Sequence, residues 1–280
     1  MQNIPRTLRT RIAPAPQALK RGVKLLFRAA SHQWYAAEQL AHDLRRFGVR
    51  EAGVLLVHSS LSSFGFVRSG ALTVIDALFQ ALGPRGTLVM PTHSWDRAAA
   101  GDFTFDVAST PSCVGRITEV FRLMPGVTRS LHPTHSVAAA GPRASYLAED
   151  HEHASTPCGD GTPYAKLINE RCQILFLGTT LEQNTMLHAL EAFCGLPYLM
   201  QRTEERFTIR DADGLVRTCH MRRHNQGPSR RFGATRELLL ARGVLREGRV
   251  GRSHSLLIEC EPMVNILLHV LKRDPQYLLA

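Results

Sequence analysis

Short apolar segments alternate with helical patterns along most of this chain, and this alternation constrains the fold more than any other feature. Residues 53–57 (GVLLV) and 86–90 (GTLVM) are apolar runs of strand length. Residues 72–82 lie between them and have the apolar spacing of an amphipathic helix. Because a strand, a helix and a second strand in this order form a βαβ unit, the sequence predicts an α/β protein.

The alternation continues to the C-terminus. The pattern predicts helices over residues 36–47, 110–126, 165–169, 185–193, 230–241 and 263–271, and strands over residues 136–140 and 173–177. Residues 205–210 and 215–220 flank the turn sequence Asp-Ala-Asp-Gly and predict a hairpin in the C-terminal part. We expect a single domain over residues 35–280 after an irregular or helical lead-in over residues 1–34.

The composition excludes several classes of protein. No apolar run approaches the ~20 residues that a bilayer span needs, so we expect a cytoplasmic protein without a membrane partner. The six cysteines show no C-x-x-C spacing, which argues against a structural zinc site and a disulfide framework. The net charge of +10 is spread along the chain and aromatic residues make up 7%, so we expect no nucleic-acid partner.

Polar segments follow or precede the predicted strands, where an α/β sheet places its ligands. Each of them combines hydroxyl and imidazole groups, which a single structural histidine would not explain. The segments are His58-Ser59-Ser60-Leu61, Met90-Pro91-Thr92-His93-Ser94-Trp95, His132-Pro133-Thr134-His135-Ser136 and Asn184-Thr185-Met186-Leu187-His188-Ala189-Leu190-Glu191.

The order of these strings resembles the aminoglycoside 3-N-acetyltransferase family, also called the antibiotic N-acetyltransferases. The strings are H-S-S-L, G-T-L-V-M-P-T-x-S-W, F-D-x-x-x-T-P-S-x-V-G-R-I-T-E-V-F-R, R-S-x-H-P-T-H-S-V-A-A-x-G, G-x-G-T-P-Y-A-K-L and I-L-F-L-G-T-x-L-x-x-N-T-x-L-H-A-x-E. They run from about residue 54 to residue 191, and G-R-V-G at residues 248–251 continues the match.

The resemblance implies an α/β/α sandwich around a central mixed, largely parallel sheet, with a C-terminal hairpin and helices. It implies acetyl-CoA as co-substrate, an amine of an aminoglycoside or another amino-sugar-like molecule as acceptor, and no metal. A homodimer is compatible with it. Acyl transfer to an amine is therefore the expected activity, with antibiotic resistance as its expected consequence.

The chemistry explains why the segments contain imidazoles. An amine attacks a thioester only in its neutral form, so the enzyme needs a base that works near neutral pH, which histidine provides. We predict His135 as the base and Glu191 as the carboxylate that fixes its tautomer. His188 and Glu191 are three residues apart and share a helix face, so His188 is the alternative base.

Other residues are predicted to bind the thioester. Backbone N–H groups and hydroxyls at strand ends stabilise an oxyanion, and Ser59, Ser60 and Thr134 are candidates for this role. We assign His58, Ser59, Ser60, Leu61 and Ser136 to the CoA site. Arg68, in the loop from the first strand to the next helix, adds a positive charge for a CoA phosphate.

The acceptor is harder to predict. A polycationic aminoglycoside requires carboxylates, and the candidate contacts are His93, Trp95 and the acidic residues Asp96, Asp102, Asp106, Glu149, Asp150 and Glu152. The chain is nevertheless strongly basic, so a sugar of a polysaccharide or natural-product pathway is an alternative acceptor. A non-catalytic relative that binds CoA or a sugar is a separate alternative.

Two groups of reactive side chains suggest other chemistry. Cys113 offers a covalent route in which a thiolate first accepts the acetyl group, but direct transfer needs only a base, and we expect Cys113 to be a buried helix residue. His151-Glu152-His153 with Cys158 lacks a second spaced ligand pair, so we expect polar surface there.

Overall fold

The computed structural model describes residues 35–65, 67–98, 103–225, 227 and 229–280. The predicted lead-in over residues 1–34 and the predicted acceptor contact Asp102 lie outside the described residues. Within the described ranges, no helix has both the length and the apolar character needed to cross a bilayer.

The described residues form helices and strands that alternate as the sequence predicts. The helices are α1 (Ala37–Phe47), α2 (Ala71–Leu82), α3 (Trp95–Ala98), α4 (Arg116–Arg122), α5 (Ala144–Ala148), α6 (Pro163–Asn169), α7 (Met186–Phe193), α8 (Thr235–Ala241) and α9 (Cys260–Arg273). The strands are β1 (Val54–Ser59), β2 (Thr87–Pro91), β3 (Thr104–Asp106), β4 (Thr128–Arg129), β5 (Val137–Ala140), β6 (Gln173–Leu177), β7 (Glu205–Arg210), β8 (Val216–Met221), β9 (Leu245–Val250) and β10 (Ser253–Glu259).

The central sheet has seven strands in the order β4-β5-β2-β1-β6-β10-β9. The three middle strands β2, β1 and β6 are parallel to one another, and the pairings outside them are antiparallel. The predicted hairpin is β7–β8, and β3 joins it in a separate three-stranded sheet. The predicted α/β fold around a mixed sheet is therefore confirmed, with parallel pairing confined to its centre.

Helices cover both faces of the central sheet, as the predicted sandwich requires. Leu55 and Val57 of β1 pack with α1, α2 and α4, whereas Val54 and Leu56 face the core formed with α5 to α9. Successive side chains of a strand point to opposite faces, so a strand that is apolar at every position is buried on both sides. This explains why β1 reads as a continuous apolar run.

The sequence prediction omits the short elements α3, α5, β3 and β4, and it differs from the structure in two further respects. The helix predicted from residue 110 begins only at Arg116, because Gly115 has φ +123° and the Glu119 carboxylate accepts the backbone N–H of Ser112 outside the helix. The sequence pattern also does not predict strands β9 and β10. Charged residues occupy the middle of β9, an edge strand, so it lacks the apolar run that marks a buried strand.

Candidate active site

The carboxyl ends of β1, β2 and β6 meet at one edge of the sheet, and the predicted polar segments converge there. The third segment reaches the same edge because β5 runs antiparallel to β2. Backbone hydrogen bonds join the second segment to the third. The N–H of Thr92 donates to the Ser136 carbonyl at 2.8 Å, and the N–H of Ser94 donates to the Thr134 carbonyl at 3.0 Å. The fourth segment follows β6 and forms α7.

Two cavities adjoin at this edge, and they share part of their walls. The first has a volume of about 210 Å³ and reaches the strand ends at His58, Ser59 and His93. The second has a volume of about 440 Å³ and extends toward Arg223, His224 and Arg230. The residues common to both are Trp95, His135, Glu182, His188 and Phe232.

His188 and Glu191 form a histidine–carboxylate pair on α7. Nδ1 of His188 lies 2.6 Å from Oε2 of Glu191, as the predicted shared helix face allows. The Glu191 side chain is fully buried, and its other oxygen lies 3.3 Å from Nε of Arg230. Because an ionised carboxylate only accepts hydrogen bonds, Nδ1 of His188 carries the proton, which leaves Nε2 as the basic atom.

His135, the predicted base, has a different partner from the one expected. The oxygens of Glu191 contact His188 and Arg230, whereas Nδ1 of His135 shares a hydrogen bond of 2.8 Å with the Thr134 hydroxyl. His135 is 8% exposed, and burial lowers the pKa of its imidazole well below the usual value, with the neighbouring His224 and His93 adding to the effect. His135 is therefore neutral, and its orienting partner is a hydroxyl rather than a carboxylate.

The predicted thioester-binding residues divide into two groups. His58 and Ser59 line the first cavity, and both Nε2 of His58 and the Ser59 hydroxyl are buried without a hydrogen-bond partner among the described residues. Ser60 and Leu61 follow at the start of a 3-10 turn, where the Ser60 and Ser62 hydroxyls bond to each other. Arg68 is exposed in the next loop and lies outside the walls of both cavities.

Ser136 and Thr134 support the site in different ways. Ser136 is fully buried and donates to the Thr92 carbonyl while accepting from Arg129, so its hydroxyl is not available to CoA and its position does not support the predicted contact. Thr134 lines the second cavity. Its hydroxyl forms the hydrogen bond with Nδ1 of His135 and also lies 3.3 Å from Nδ1 of His132.

The predicted acceptor contacts also divide. His93 and Trp95 line the first cavity; Nε2 of His93 shares a hydrogen bond of 2.9 Å with the Tyr164 hydroxyl, and Trp95 is 41% exposed. The acidic candidates that the structure describes lie outside both walls. Asp96 is exposed and accepts the backbone N–H of Arg97, Asp106 pairs with Arg210, Glu149 with Lys166 and Glu152 with Arg217, and Asp150 is exposed.

Two expectations about reactive clusters are corrected. Cys113 lies in the loop before α4 rather than on a helix, and burial together with Asp96 raises the pKa of its thiol to about 11. It is therefore a poor nucleophile. His151 is fully buried rather than on a polar surface: Nδ1 pairs with the Ser130 hydroxyl and Nε2 with the Pro157 carbonyl.

The sequence pattern does not predict two further residues of the site. Glu182 lines both cavities and accepts the backbone N–H groups of Phe232 and Gly233, which fixes the loop before α8 against the 3-10 turn after β6. His224 lies after β8 in a segment without any periodicity. It reaches the site through tertiary contacts, with its ring centroid 4.6 Å from those of His135 and His188, and sequence spacing carries no signal for such contacts.

Comparison with known proteins identifies the family. The family model described as aminoglycoside 3-N-acetyltransferase matches residues 56–272. Aminoglycoside N(3)-acetyltransferase IV from Salmonella sp. is 36% identical over 246 residues, which are 87% of this chain and 90% of that protein. Aminoglycoside N(3)-acetyltransferase IX from Micromonospora chalcea is 30% identical over 82% of this chain and 91% of its own length.

Solved structures give the same result. The crystal structure of aminoglycoside acetyltransferase AAC(3)-IVa, as a histidine-to-alanine mutant in complex with a gentamicin, superposes with a TM-score of 0.77 at 32% identity and covers 89% of this chain and 93% of that one. The chain belongs to the aminoglycoside 3-N-acetyltransferase family, whose members are acyltransferases.

Proposed function

We propose that this chain transfers the acetyl group of acetyl-CoA directly to an amine of an aminoglycoside or a related amino sugar, with His188 as general base. One observation carries the proposal: His188, held by Glu191, lies in the wall shared by two adjoining cavities. A ternary reaction needs a donor site and an acceptor site that meet at the base, and this wall is where the two cavities meet.

Glu191 determines which atom of His188 acts. With the proton held on Nδ1, Nε2 takes the proton from the attacking amine, and the buried carboxylate stabilises the imidazolium that forms. The second carboxylate oxygen lies 3.3 Å from Nε of Arg230, and this contact favours the orientation in which the first oxygen faces His188. The hydrogen-bond partner of His135 is a hydroxyl rather than a carboxylate. We therefore propose that His135 forms part of the wall shared by the two cavities and that His188 accepts the proton.

The first cavity suits the thioester. It lies at the carboxyl ends of the parallel strands, where the buried Ser59 hydroxyl and Nε2 of His58 are available for hydrogen bonds to a carbonyl oxygen as it becomes negative. Each buried polar group without a partner costs about 1–3 kcal/mol, and a bound acetyl group would recover part of this. The second, larger cavity is then the acceptor site.

The acceptor cavity favours an amine with few positive charges. Among the described lining residues of the second cavity, Glu182 is the one carboxylate, and Arg223 and Arg230 are the cationic side chains. One enzyme of the family was solved with a gentamicin and also with apramycin. The second candidate function is acetylation of an amino sugar that also carries an acidic group, which the positive charge of Arg223 would attract; Arg223 is itself paired with Glu205, and Arg230 is engaged by Glu191.

A thiol-release assay with acetyl-CoA tests both candidates, with mass spectrometry of the product. The panel contains gentamicin, apramycin, glucosamine and an amino sugar with a carboxylate, such as muramic acid. Thiol release together with an acetylated product from any of them supports acyl transfer, and the preferred acceptor separates the two candidates. Binding of acetyl-CoA without acetylation of any amine contradicts the proposal and identifies a non-catalytic relative.

A further inference from the structure

A thiol and two imidazoles meet beside the acceptor cavity. The Sγ atom of Cys158 and one ring nitrogen each of His135 and His224 all lie within 4.8 Å of one another, and the three side chains are buried. They come from three separate parts of the chain: the loop before β5, the loop before α6 and the segment after β8. The fold, rather than any local spacing, therefore creates the cluster.

The His224 imidazole is buried without a hydrogen bond. It is 9% exposed, and neither of its ring nitrogens has a hydrogen-bond partner among the described residues. A buried polar group left unpaired costs about 1–3 kcal/mol, so native proteins rarely keep such an imidazole without a ligand. The His224 ring instead lies against two other imidazoles, with ring centroids 4.6 Å from both His135 and His188.

The three donors match a thiophilic transition metal. Zn²⁺ prefers cysteine sulfur and histidine nitrogen, and a site with three protein ligands keeps one position open. Tetrahedral Zn²⁺ with bonds of about 2.0–2.3 Å places its ligand atoms roughly 3.5 Å apart, so rotamer adjustments of about 1 Å would close the present cluster around an ion. Among the described residues the cluster contains no carboxylate, which disfavours Mg²⁺ and Ca²⁺.

We propose that Cys158, His135 and His224 form a Zn²⁺ site at the wall of the acceptor cavity. Binding releases the Cys158 proton to solvent and leaves the thiolate and two neutral imidazoles on the ion, without any redox change. His135 and His224 both line the second cavity, so the site lies at its wall. This metal site depends on the cluster and not on the proposed function.

A consequence for activity does rest on the proposed function. The ring centroids of His188 and His224 lie 4.6 Å apart, so a divalent cation on His224 would repel a positively charged amino sugar as it approaches the base. Zn²⁺ should therefore inhibit acetyl transfer, and Cys158 should govern this sensitivity. Cys158 itself is not among the described residues that line either cavity, and it takes no part in the proposed reaction.

Co²⁺ substitution tests the site without an activity readout. After chelation, Co²⁺ should bind the purified full chain at one equivalent and give a thiolate-to-cobalt absorption band in the near ultraviolet with visible bands of a tetrahedral site. Zn²⁺ should displace it. Cys158→Ser should abolish the thiolate band and weaken Zn²⁺ binding by at least ~100-fold, whereas Cys194→Ser, the same change at a half-buried thiol elsewhere, should change neither.

A second variant guards against misfolding. His224→Gln keeps a polar side chain, and a circular dichroism melt confirms its fold before it is titrated; it should retain the thiolate band with weaker affinity. Absence of Co²⁺ binding to the folded wild type, or binding that Cys158→Ser leaves unchanged, overturns the metal site.

Activity assays separate this site from the proposed function. Inhibition by stoichiometric Zn²⁺ that disappears in Cys158→Ser supports the consequence, and equal inhibition of both proteins refutes it. Metal binding to a chain that acetylates nothing would support the site and contradict the proposed function alone.

Discussion

Replacing Glu191 with glutamine tests how the His188 tautomer is fixed. The glutamine amide has nearly the same shape, so its oxygen can still accept from Arg230 while its NH₂ group faces Nδ1 of His188. An NH₂ donor makes Nδ1 an acceptor, which moves the imidazole proton to Nε2, the atom that must receive the proton from the amine. The variant thus keeps the geometry and inverts the hydrogen bond.

The expected loss is large and falls on turnover. Losing a correctly oriented base costs about 10²–10⁴-fold in kcat, or roughly 3–5 kcal/mol of transition-state stabilisation. The measurement is the rate of thiol release at saturating acetyl-CoA and acceptor, with the KM for acetyl-CoA expected to stay within a few fold because Glu191 does not line either cavity.

A matched variant separates catalysis from the loss of any carboxylate. Glu247, on β9, forms an ion pair with Arg236 on α8. Glu247→Gln makes the same change there, and it should retain wild-type kinetics. Urea unfolding of both variants checks that the fold persists. A Glu191→Gln enzyme with wild-type kcat would refute the claim that the carboxylate sets the tautomer of a catalytic imidazole.

Two further predictions concern stability. Burial lowers the pKa of His58, His93 and His151 to about 3 in the folded chain, against 6.5 in the unfolded chain. Below pH 6.5 the unfolded chain therefore binds more protons than the folded one. The free energy of unfolding should fall as the pH drops from above 6.5 toward 4.5, by on the order of 2–3 kcal/mol for each imidazole. Urea titrations at pH 7.5 and 4.5 measure this, and equal midpoints would contradict it. Gly178→Ala should destabilise the fold by about 1–3 kcal/mol, because φ is +67° and a Cβ atom would overlap the Ser63 side chain. The double variant with Ser63→Gly should recover part of the loss in thermal melts, and a single variant as stable as wild type would show that the turn relaxes freely.

Much of the central sheet could be predicted because its strands are apolar on both faces. The observed bounds of β6 are those that the run QILFL predicts. Helix α1 ends at Phe47, and Gly48 caps it in the left-handed conformation expected of a glycine at this position, with φ of +112°. Strand β9 could not be predicted because it is an edge strand that contains the charged residues Arg246, Glu247 and Arg249. Too few of its side chains are buried to give an apolar sequence pattern.

The site was predictable only as far as its residues lie at strand ends or on one helix face. The His188–Glu191 spacing indicated their pairing, and the two side chains lie 2.6 Å apart on the helix. The choice between His188 and His135 depended on which imidazole reaches the carboxylate, which is a tertiary contact. His224 and Cys158 approach His135 only through the packing of distant loops, so no spacing in the sequence could reveal that cluster.

The most direct test of His188 as the base compares three alanine variants in one acetyl-transfer assay. His188→Ala should lower kcat at least ~100-fold, and His135→Ala should keep kcat within about tenfold of wild type, because Glu191 pairs with His188 and not with His135. His269→Ala, at an exposed position of α9, is the control and should be unchanged. Near-normal turnover of His188→Ala together with a collapse in His135→Ala would contradict the central claim.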